Sequence, residues 1–149
     1  IMSFYIAVDY DGTMVDHMFP EIGKDVPGAV RWVKEFQKLG AKIILWTVRS
    51  DMNLYTPDLS SDTKSFMEFD KPFVTQAVQY MEDKGIALHG VNENPDQYTF
   101  STSNKAYANI YIDDAAFGCP LIMIPGFSRL CVDWAKVGPE VCKIINGGD

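Results

Sequence analysis

The chain is poor in cysteine, in histidine and in long apolar runs. Its 149 residues include three cysteines and two histidines. Cys119, Cys131 and Cys142 match no CxxC or Cys/His spacing, which argues against a structural zinc site and favours reduced thiols in a cytoplasmic protein. No apolar run approaches the roughly 18 residues of a membrane span, and no signal-peptide pattern precedes the first predicted strand. We therefore expect a cytoplasmic protein with no membrane partner.

Basic residues are also scarce, because 13 Lys and Arg face 20 Asp and Glu for a net charge of −7. Proteins that bind the nucleic-acid backbone usually carry a basic surface, so the charge argues against a nucleic-acid partner. It leaves open an enzyme that acts on a small phosphate with the help of a metal ion. A composition of 47% hydrophobic and 22% charged residues is globular. The length predicts one domain over 1–149.

Apolar runs alternate with helical patterns along the chain. The predicted strands are Phe4–Asp9, Ala41–Thr47, Ile86–Leu88, Asn109–Asp113 and Leu121–Ile124, and the predicted helices are Pro27–Gly40, one around Phe73–Met81 and one after Pro139. Such alternation predicts an α/β fold, a three-layer sandwich with a mostly parallel sheet and helices on both faces. The stretch from Arg49 to Lys71 is polar and is predicted to be a long excursion of the chain between the second strand and the second helix.

Polar residues stand at the ends of three predicted strands. Asp9 ends the strand Phe4–Asp9 and Asp11 follows it, Thr47 ends the strand Ala41–Thr47, and the Asp113-Asp114 pair ends the strand that begins at Asn109. Ligands of parallel sheets bind beyond the carboxyl ends of the strands. Two carboxylates one residue apart at the end of a buried strand repel each other and lose hydration, so a cation or a reactive group is expected beside them.

Together these segments resemble the haloacid dehalogenase superfamily of aspartate-nucleophile phosphotransferases. The matching pieces are Asp9-Tyr10-Asp11-Gly12-Thr13, Thr47 in LWT, Lys105, and Asp113-Asp114 in IYIDD, and they span residues 4 to 114. Each piece alone is weak, because DxDG is often a turn. All of them in the family order make a specific signal, which implies a Rossmann-like fold, a phosphatase reaction and Mg²⁺ as cofactor.

The resemblance also implies a role for each motif residue. Asp9 would attack phosphorus and form an aspartyl phosphate. Asp11 would protonate the leaving group and later activate water, while its backbone carbonyl contacts the metal. The Thr47 hydroxyl and the amide of Val48 would bind phosphoryl oxygens, and Lys105 would neutralise Asp9 and the transferred group. Lys71 is an alternative to Lys105.

Further site residues follow from the same resemblance. Gly12 would let the backbone approach the phosphate. Asp9, Asp11 and the Asp113-Asp114 pair form the expected metal site, with Asp114 preferred as the direct ligand and Asp113 supporting it. Arg49 and His17 lie on neighbouring loops and are candidate substrate contacts.

The spacing of the motifs leaves no room for a cap domain. Only 15 residues separate Asp11 from Pro27, and the interval from Thr47 to Lys105 must already supply a helix and a strand. A capless phosphatase with an open site is expected, acting on a phosphorylated small molecule or polymer end. A second copy of the chain could cover such a site as a homodimer.

Alternative functions remain beside this one. One is a catalytically idle relative that binds partners, and a narrower one is a nucleotide or polynucleotide phosphatase. Receiver-like signalling modules also combine a phosphorylated aspartate, Mg²⁺, Thr and Lys. They place the acidic pair on the first strand and the phosphoacceptor on the third, so the motif order of this chain excludes them.

Overall fold

The computed structural model describes residues 3–51 and 71–147. Its elements in chain order are β1 (Phe4–Asp9), α1 (Ala29–Lys38), β2 (Ala41–Trp46), α2 (Phe73–Asp83), β3 (Leu88–Val91), a 3₁₀ helix (Pro95–Thr99), β4 (Ile110–Ile112), β5 (Leu121–Ile122), β6 (Cys131–Val132) and α3 (Trp134–Ile145). Residues 52–70, which make up most of the excursion seen in the sequence, lie outside the described residues. Within the described ranges, no helix is long and apolar enough to cross a membrane.

The main sheet has four parallel strands in the order β3-β2-β1-β4. The α/β class with a mostly parallel sheet is therefore confirmed. In the register, Asp9 pairs with Trp46, and Val8 pairs with Ile112. Consequently Asp9 and the residues that directly follow β2 and β4 lie at the same carboxyl edge of the sheet.

The two faces of the sheet are covered differently. On one face, Ile6, Val8, Ile43 and Leu45 are fully buried in the main core, which also takes in residues of all three α-helices. Burial of each such side chain contributes about 1.5–3 kcal/mol. On the other face lies a smaller core around Ala7, Ile44 and Ala108. There the segment between β3 and β4 forms the covering layer, a position in which we expected a helix.

The amino ends of three strands are joined by one carboxylate of that segment. Asp96 Oδ2 accepts a hydrogen bond from the Tyr5 hydroxyl of β1 at 2.7 Å and lies 3.2 Å from Lys42 Nζ of β2. His89 Nε2 of β3 lies 3.1 Å from the same oxygen. We refer to these four residues as the Asp96 cluster. It fixes the 3₁₀ helix against the sheet.

Several predicted boundaries differ from those of the structure. The apolar run after Gly118 does not join the parallel sheet, because β5 pairs antiparallel with β6 in a separate two-stranded sheet. Helix α3 begins at Trp134, five residues before Pro139, which lies inside the helix. Trp134 is buried and its indole N–H donates to the Thr13 carbonyl at 2.7 Å. This contact anchors the start of α3 beside the loop that follows β1.

Candidate metal centre

Three aspartates converge at the carboxyl edge of the sheet. Asp9, Asp113 and Asp114 each offer a carboxylate oxygen, and these three oxygens lie within 4.8 Å of one another. All three side chains are half-buried. Asp9 comes from the end of β1, and the other two follow β4, so the parallel register brings them together across 104 residues of sequence. We call these three residues the Asp triad.

The surroundings of the Asp triad disfavour negative charge. Burial, with a hydrogen bond to the Asp114 carboxyl and the nearby charges of Asp113 and Asp114, raises the pKa of Asp9 to about 9, against the opposing effect of Thr13. Burial also raises the pKa of Asp113. In residues 3–51 and 71–147, no Lys or Arg side chain forms an ion pair with any member of the triad. A bound cation would relieve this repulsion.

Thr13 and His17 hold two of the carboxylates in place. The Thr13 hydroxyl donates to Asp9 Oδ2 at 2.8 Å, and the Thr13 hydroxyl oxygen accepts from the backbone N–H of Asp114 at 3.3 Å. His17 Nε2 lies 2.9 Å from Asp114 Oδ2. The sequence pattern assigned no role to Thr13 and treated His17 as a substrate contact. The structure places the His17 ring against a carboxylate of the Asp triad.

Asp11 is not part of the triad and pairs with Arg49. Arg49 Nε and Nη2 donate to the two oxygens of Asp11 at 2.8 and 2.7 Å. Arg49 Nη1 and Nη2 also donate to the carbonyls of Pro20 and Glu21 at 3.2 and 2.8 Å. The guanidinium carbon lies 5.2 Å from the centre of the Tyr10 ring. The Arg49 side chain is 1% exposed and contributes to the lining of the cleft as the partner of Asp11.

Thr47 lies at the edge of the cleft with a hydroxyl that can donate. Its oxygen accepts from the Arg49 backbone N–H at 3.0 Å, and its own N–H donates to Asn92 Oδ1 at 2.8 Å. Among the described residues the Thr47 hydroxyl proton has no acceptor, which fits the expected phosphoryl contact. Val48 also lines the cleft, and its side chain is fully exposed.

Gly12 and Lys105 each make a contact within the described residues, and the roles that the resemblance implies for them stay predictions. The N–H of Gly12 donates to the Val15 carbonyl at 2.7 Å, so it is engaged within the loop. The Lys105 ammonium lies 5.6 Å from the centre of the Tyr111 ring, and this side chain does not line the cleft. Lys71 is exposed, and in the described part of the chain it forms no ion pair with the triad.

A cleft of about 1060 Å³ opens over the Asp triad. One wall is apolar and carries Phe19, Leu121, Met123 and Leu130, all partly exposed to solvent. Arg129, on the turn between β5 and β6, lies on the same side. The hairpin formed by β5 and β6 thus builds part of the site, although no motif in the sequence indicated its involvement.

The fold and site define an α/β protein with a parallel sheet and an acidic centre at the carboxyl edge. No family model matches the chain, and no curated protein matches it. Among solved structures, the chain is similar to a conserved protein from Bacteroides thetaiotaomicron, with 26% identity and a TM-score of 0.65. The similarity covers 96% of this chain and 93% of that one. It supports the fold over nearly the whole length and carries no activity with it.

Proposed function

We propose that the protein is a Mg²⁺-dependent phosphatase that acts on phosphomonoesters through an aspartyl phosphate on Asp9. The observation that carries the proposal is the Asp triad, whose three oxygens lie within 4.8 Å of one another. Burying like charges this closely costs stability unless a ligand compensates. The resemblance of the motif order to the haloacid dehalogenase superfamily provides the reaction class.

The donor set of the triad fits a hard divalent cation. Carboxylate oxygens, together with water and phosphate oxygens, suit Mg²⁺, Ca²⁺ and Mn²⁺ and do not suit soft metals. Asp9, Asp113 and Asp114 would hold the ion. When bound, it would neutralise the carboxylates and the phosphate that approaches them. Mg²⁺ is proposed because its sites usually combine one or two carboxylates with water and substrate phosphate.

The residues of the chain then have defined roles in two steps. In the first, an oxygen of Asp9 forms a bond to phosphorus as the bond between phosphorus and the leaving oxygen breaks. In the second, water attacks phosphorus, the bond to Asp9 breaks, and phosphate is released. The Thr47 hydroxyl would donate to a phosphoryl oxygen. Asp11 would give a proton to the leaving oxygen in the first step and would accept the proton of the attacking water in the second.

The shape of the cleft bears on the substrate. Its volume of about 1060 Å³ far exceeds that needed by inorganic phosphate. The apolar wall of Phe19, Leu121 and Met123 offers a surface for the organic part of an ester. A phosphorylated small molecule or polymer end with an apolar or planar group next to the phosphate therefore fits this cleft best.

One observation favours a second candidate, a metal and phosphate binding protein without turnover. Both oxygens of Asp11 are held by Arg49, so Asp11 must leave this partner before it can donate a proton to a leaving group. If it never does, esters with poor leaving groups would bind and remain intact. Measurement of binding alongside turnover separates the two candidates.

The test is phosphate release from para-nitrophenyl phosphate, sugar phosphates and nucleoside monophosphates, with Mg²⁺ or with EDTA. The proposal expects turnover that requires Mg²⁺ and disappears in Asp9→Asn. Asp96→Asn, at the opposite end of the sheet, is the control and should retain activity. Turnover unchanged in Asp9→Asn would refute the mechanism. Mg²⁺ and phosphate binding without turnover on every ester would support the second candidate.

A further inference from the structure

A chain of contacts runs from the β5–β6 hairpin into the Asp triad. Arg129 Nη2 lies 2.6 Å from His17 Nδ1. On the other side of the same ring, His17 Nε2 lies 2.9 Å from Asp114 Oδ2. Arg129 is exposed, whereas the side chains of His17 and Asp114 are 15% and 17% exposed. One arginine, far away in sequence, thus reaches a triad carboxylate through a single imidazole.

The chemistry of the groups fixes the direction of both hydrogen bonds. A guanidinium has only donors, so Nδ1 of His17 must be the acceptor. A neutral imidazole with a free electron pair on Nδ1 carries its proton on Nε2, and this proton points at Asp114. Without Arg129, the ring could place its proton on either nitrogen or rotate away. Arg129 therefore selects the tautomer that donates to the carboxylate.

We infer that Arg129, acting through His17, is a positioning residue that orients the Asp114 carboxylate for a divalent cation. This inference rests on the metal centre of the proposed function. Hydrogen bonds to a ligating side chain fix its rotation, and their loss typically weakens metal binding about 10- to 100-fold. His17 thus serves the metal site in this inference, and the substrate contact expected from the sequence stays a separate prediction.

Two features show that the contacts from Arg129 through His17 to Asp114 are supported by the surrounding fold. Asp16, which is 3% exposed, accepts hydrogen bonds from the backbone N–H groups of both His17 and Ser128, at 2.8 and 3.0 Å. The Ser128 hydroxyl also lies 2.8 Å from Asp16 Oδ1. These bonds join Asp16, which precedes His17, to Ser128, which precedes Arg129. They thereby hold the backbones of His17 and Arg129 next to each other.

Gly12 provides the space in which His17 meets Asp114. A Cβ atom at this position would overlap both the His17 ring and the Asp114 carboxylate. Gly12 also has a φ of 85°, a conformation that side chains disfavour. The glycine of the DxDGT motif is therefore required for this contact, a role separate from the phosphate approach expected from the sequence.

The first experiment measures the tautomer of His17 in the metal-free protein. Because the chain has two histidines, a long-range ¹H–¹⁵N spectrum is simple, and His89→Gln assigns it. The wild type should show His17 with its proton on Nε2. Arg129→Met should give a mixture of tautomers, and Arg129→Lys, which keeps a donor, should restore the Nε2–H form. An unchanged tautomer in Arg129→Met would overturn the inference.

The second experiment measures the affinity for Mg²⁺ and Mn²⁺ by calorimetry. Arg129→Met and His17→Phe should each weaken binding by about 10- to 100-fold, and His17→Gln, whose amide can donate to Asp114, should recover much of the loss. Arg31→Met is the matched control, since Arg31 is an exposed arginine packed on Trp32. It removes the same charge from the surface and should leave the affinity unchanged.

The outcomes separate this inference from the proposed function. If the wild type binds the cation and both Arg129→Met and His17→Phe bind it equally well, the positioning role is wrong and the phosphatase proposal stands. If the variants lose affinity but no ester is hydrolysed by the wild type, the positioning role stands and the phosphatase proposal fails. A wild type that binds neither cation overturns both. A raised KM for esters with unchanged cation affinity would make Arg129 a substrate contact instead.

Discussion

Each end of the sheet carries an aspartate paired with a histidine, and the two pairs have opposite surroundings. At the amino end, Asp96 lies near His89 and also contacts Lys42 and the Tyr5 hydroxyl. At the carboxyl end, Asp114 lies near His17, and its other close neighbours include two further carboxylates. The Asp96 carboxylate is thus contacted by several donors, whereas the Asp114 carboxylate lies beside two other acidic groups.

The pKa values follow this difference. The hydrogen bonds from Tyr5 and Lys42 lower the pKa of Asp96. Burial and the neighbouring acids raise the pKa of Asp9. Asp96, whose carboxylate joins three strands, is therefore compensated by neighbouring donors. The carboxyl groups of the Asp triad, where a ligand is proposed to bind, have no such compensation from Lys or Arg among the described residues. Perturbed carboxylates in a cleft are typical of functional sites for this reason.

The largest expected effect is the loss of activity in Asp9→Asn. An amide cannot form the acyl phosphate, so the rate of phosphate release should fall about 10⁴-fold or more. Asp96→Asn should keep the rate within a few fold, because Asp96 lies at the other end of the sheet. Steady-state release of phosphate measures both. Equal losses of rate in the two variants would mean that the difference between the carboxyl end and the amino end of the sheet is unrelated to activity.

Next in size is the loss of stability in Arg49→Met. This change leaves Asp11 and the carbonyls of Pro20 and Glu21 without their donor in a nearly closed environment. Removing one partner of a buried ion pair costs about 3–5 kcal/mol, and the partial exposure of Asp11 places the expected loss near the lower limit, about 3 kcal/mol.

Urea unfolding measures this loss, with Arg31→Met as the surface control. The control should change the free energy of unfolding by less than about 0.5 kcal/mol. A loss below about 1 kcal/mol in Arg49→Met would show that the pair with Asp11 contributes little to the fold. Arg49 would then be free to move toward a ligand.

A slightly smaller effect is the stabilisation of the metal-free protein by Mg²⁺. A ligand at 100 times its Kd stabilises the state that binds it by about 2.7 kcal/mol. The wild type should gain this amount, measured as a shift of thermal or urea unfolding against EDTA. Asp113→Asn should lose most of the gain because one triad oxygen becomes a neutral amide oxygen.

Asp96→Asn is again the comparison, and it should retain the full Mg²⁺ effect. In EDTA, Asp113→Asn should be as stable as the wild type or more stable, because one of the three crowded carboxyl groups is replaced by a group that carries no charge. A wild type indifferent to Mg²⁺ would count against the metal centre. A Mg²⁺ effect of equal size in Asp113→Asn would exclude this residue from it.

The sequence was sufficient to predict the sheet and the carboxylates at its edge. Apolar runs that end in Asp9, Thr47 and Asp113 specify parallel strands, and the register aligns those ends. Both properties depend on local patterns, which a single sequence displays. The expected helix boundaries were less accurate, as α3 shows, since buried Trp134 sets its start and Pro139 does not.

The contacts between side chains of distant segments could not be predicted in this way. Arg49 is 38 residues from Asp11, and Arg129 is 112 residues from His17. Motif spacing also does not determine where the end of a long side chain lies. Lys105 is an example, since its ammonium lies over the Tyr111 ring. Its proposed role toward Asp9 stays a prediction, which Lys105→Met would test by its rate of phosphate release.

The smallest expected effect concerns the pH dependence of the Asp96 cluster. Because Tyr5 and Lys42 lower the pKa of Asp96 in the folded protein, its contribution to stability is fully present above the ordinary pKa of an aspartate. The contribution is lost as the pH falls through the lowered value. The difference in unfolding free energy between the wild type and Asp96→Asn should therefore be largest near neutral pH and shrink on acidification.

Salt provides a further check on the same difference. The Lys42 and Asp96 side chains are 40% and 45% exposed, so added salt should screen their attraction and reduce the effect of Asp96→Asn. Asp83→Asn is the matched control, since Asp83 accepts a hydrogen bond from Gln79 on the surface of α2. A difference for Asp96→Asn that grows on acidification would mean that its donors do not favour the charged carboxylate. The contrast between the two ends of the sheet would then rest on the Asp triad alone.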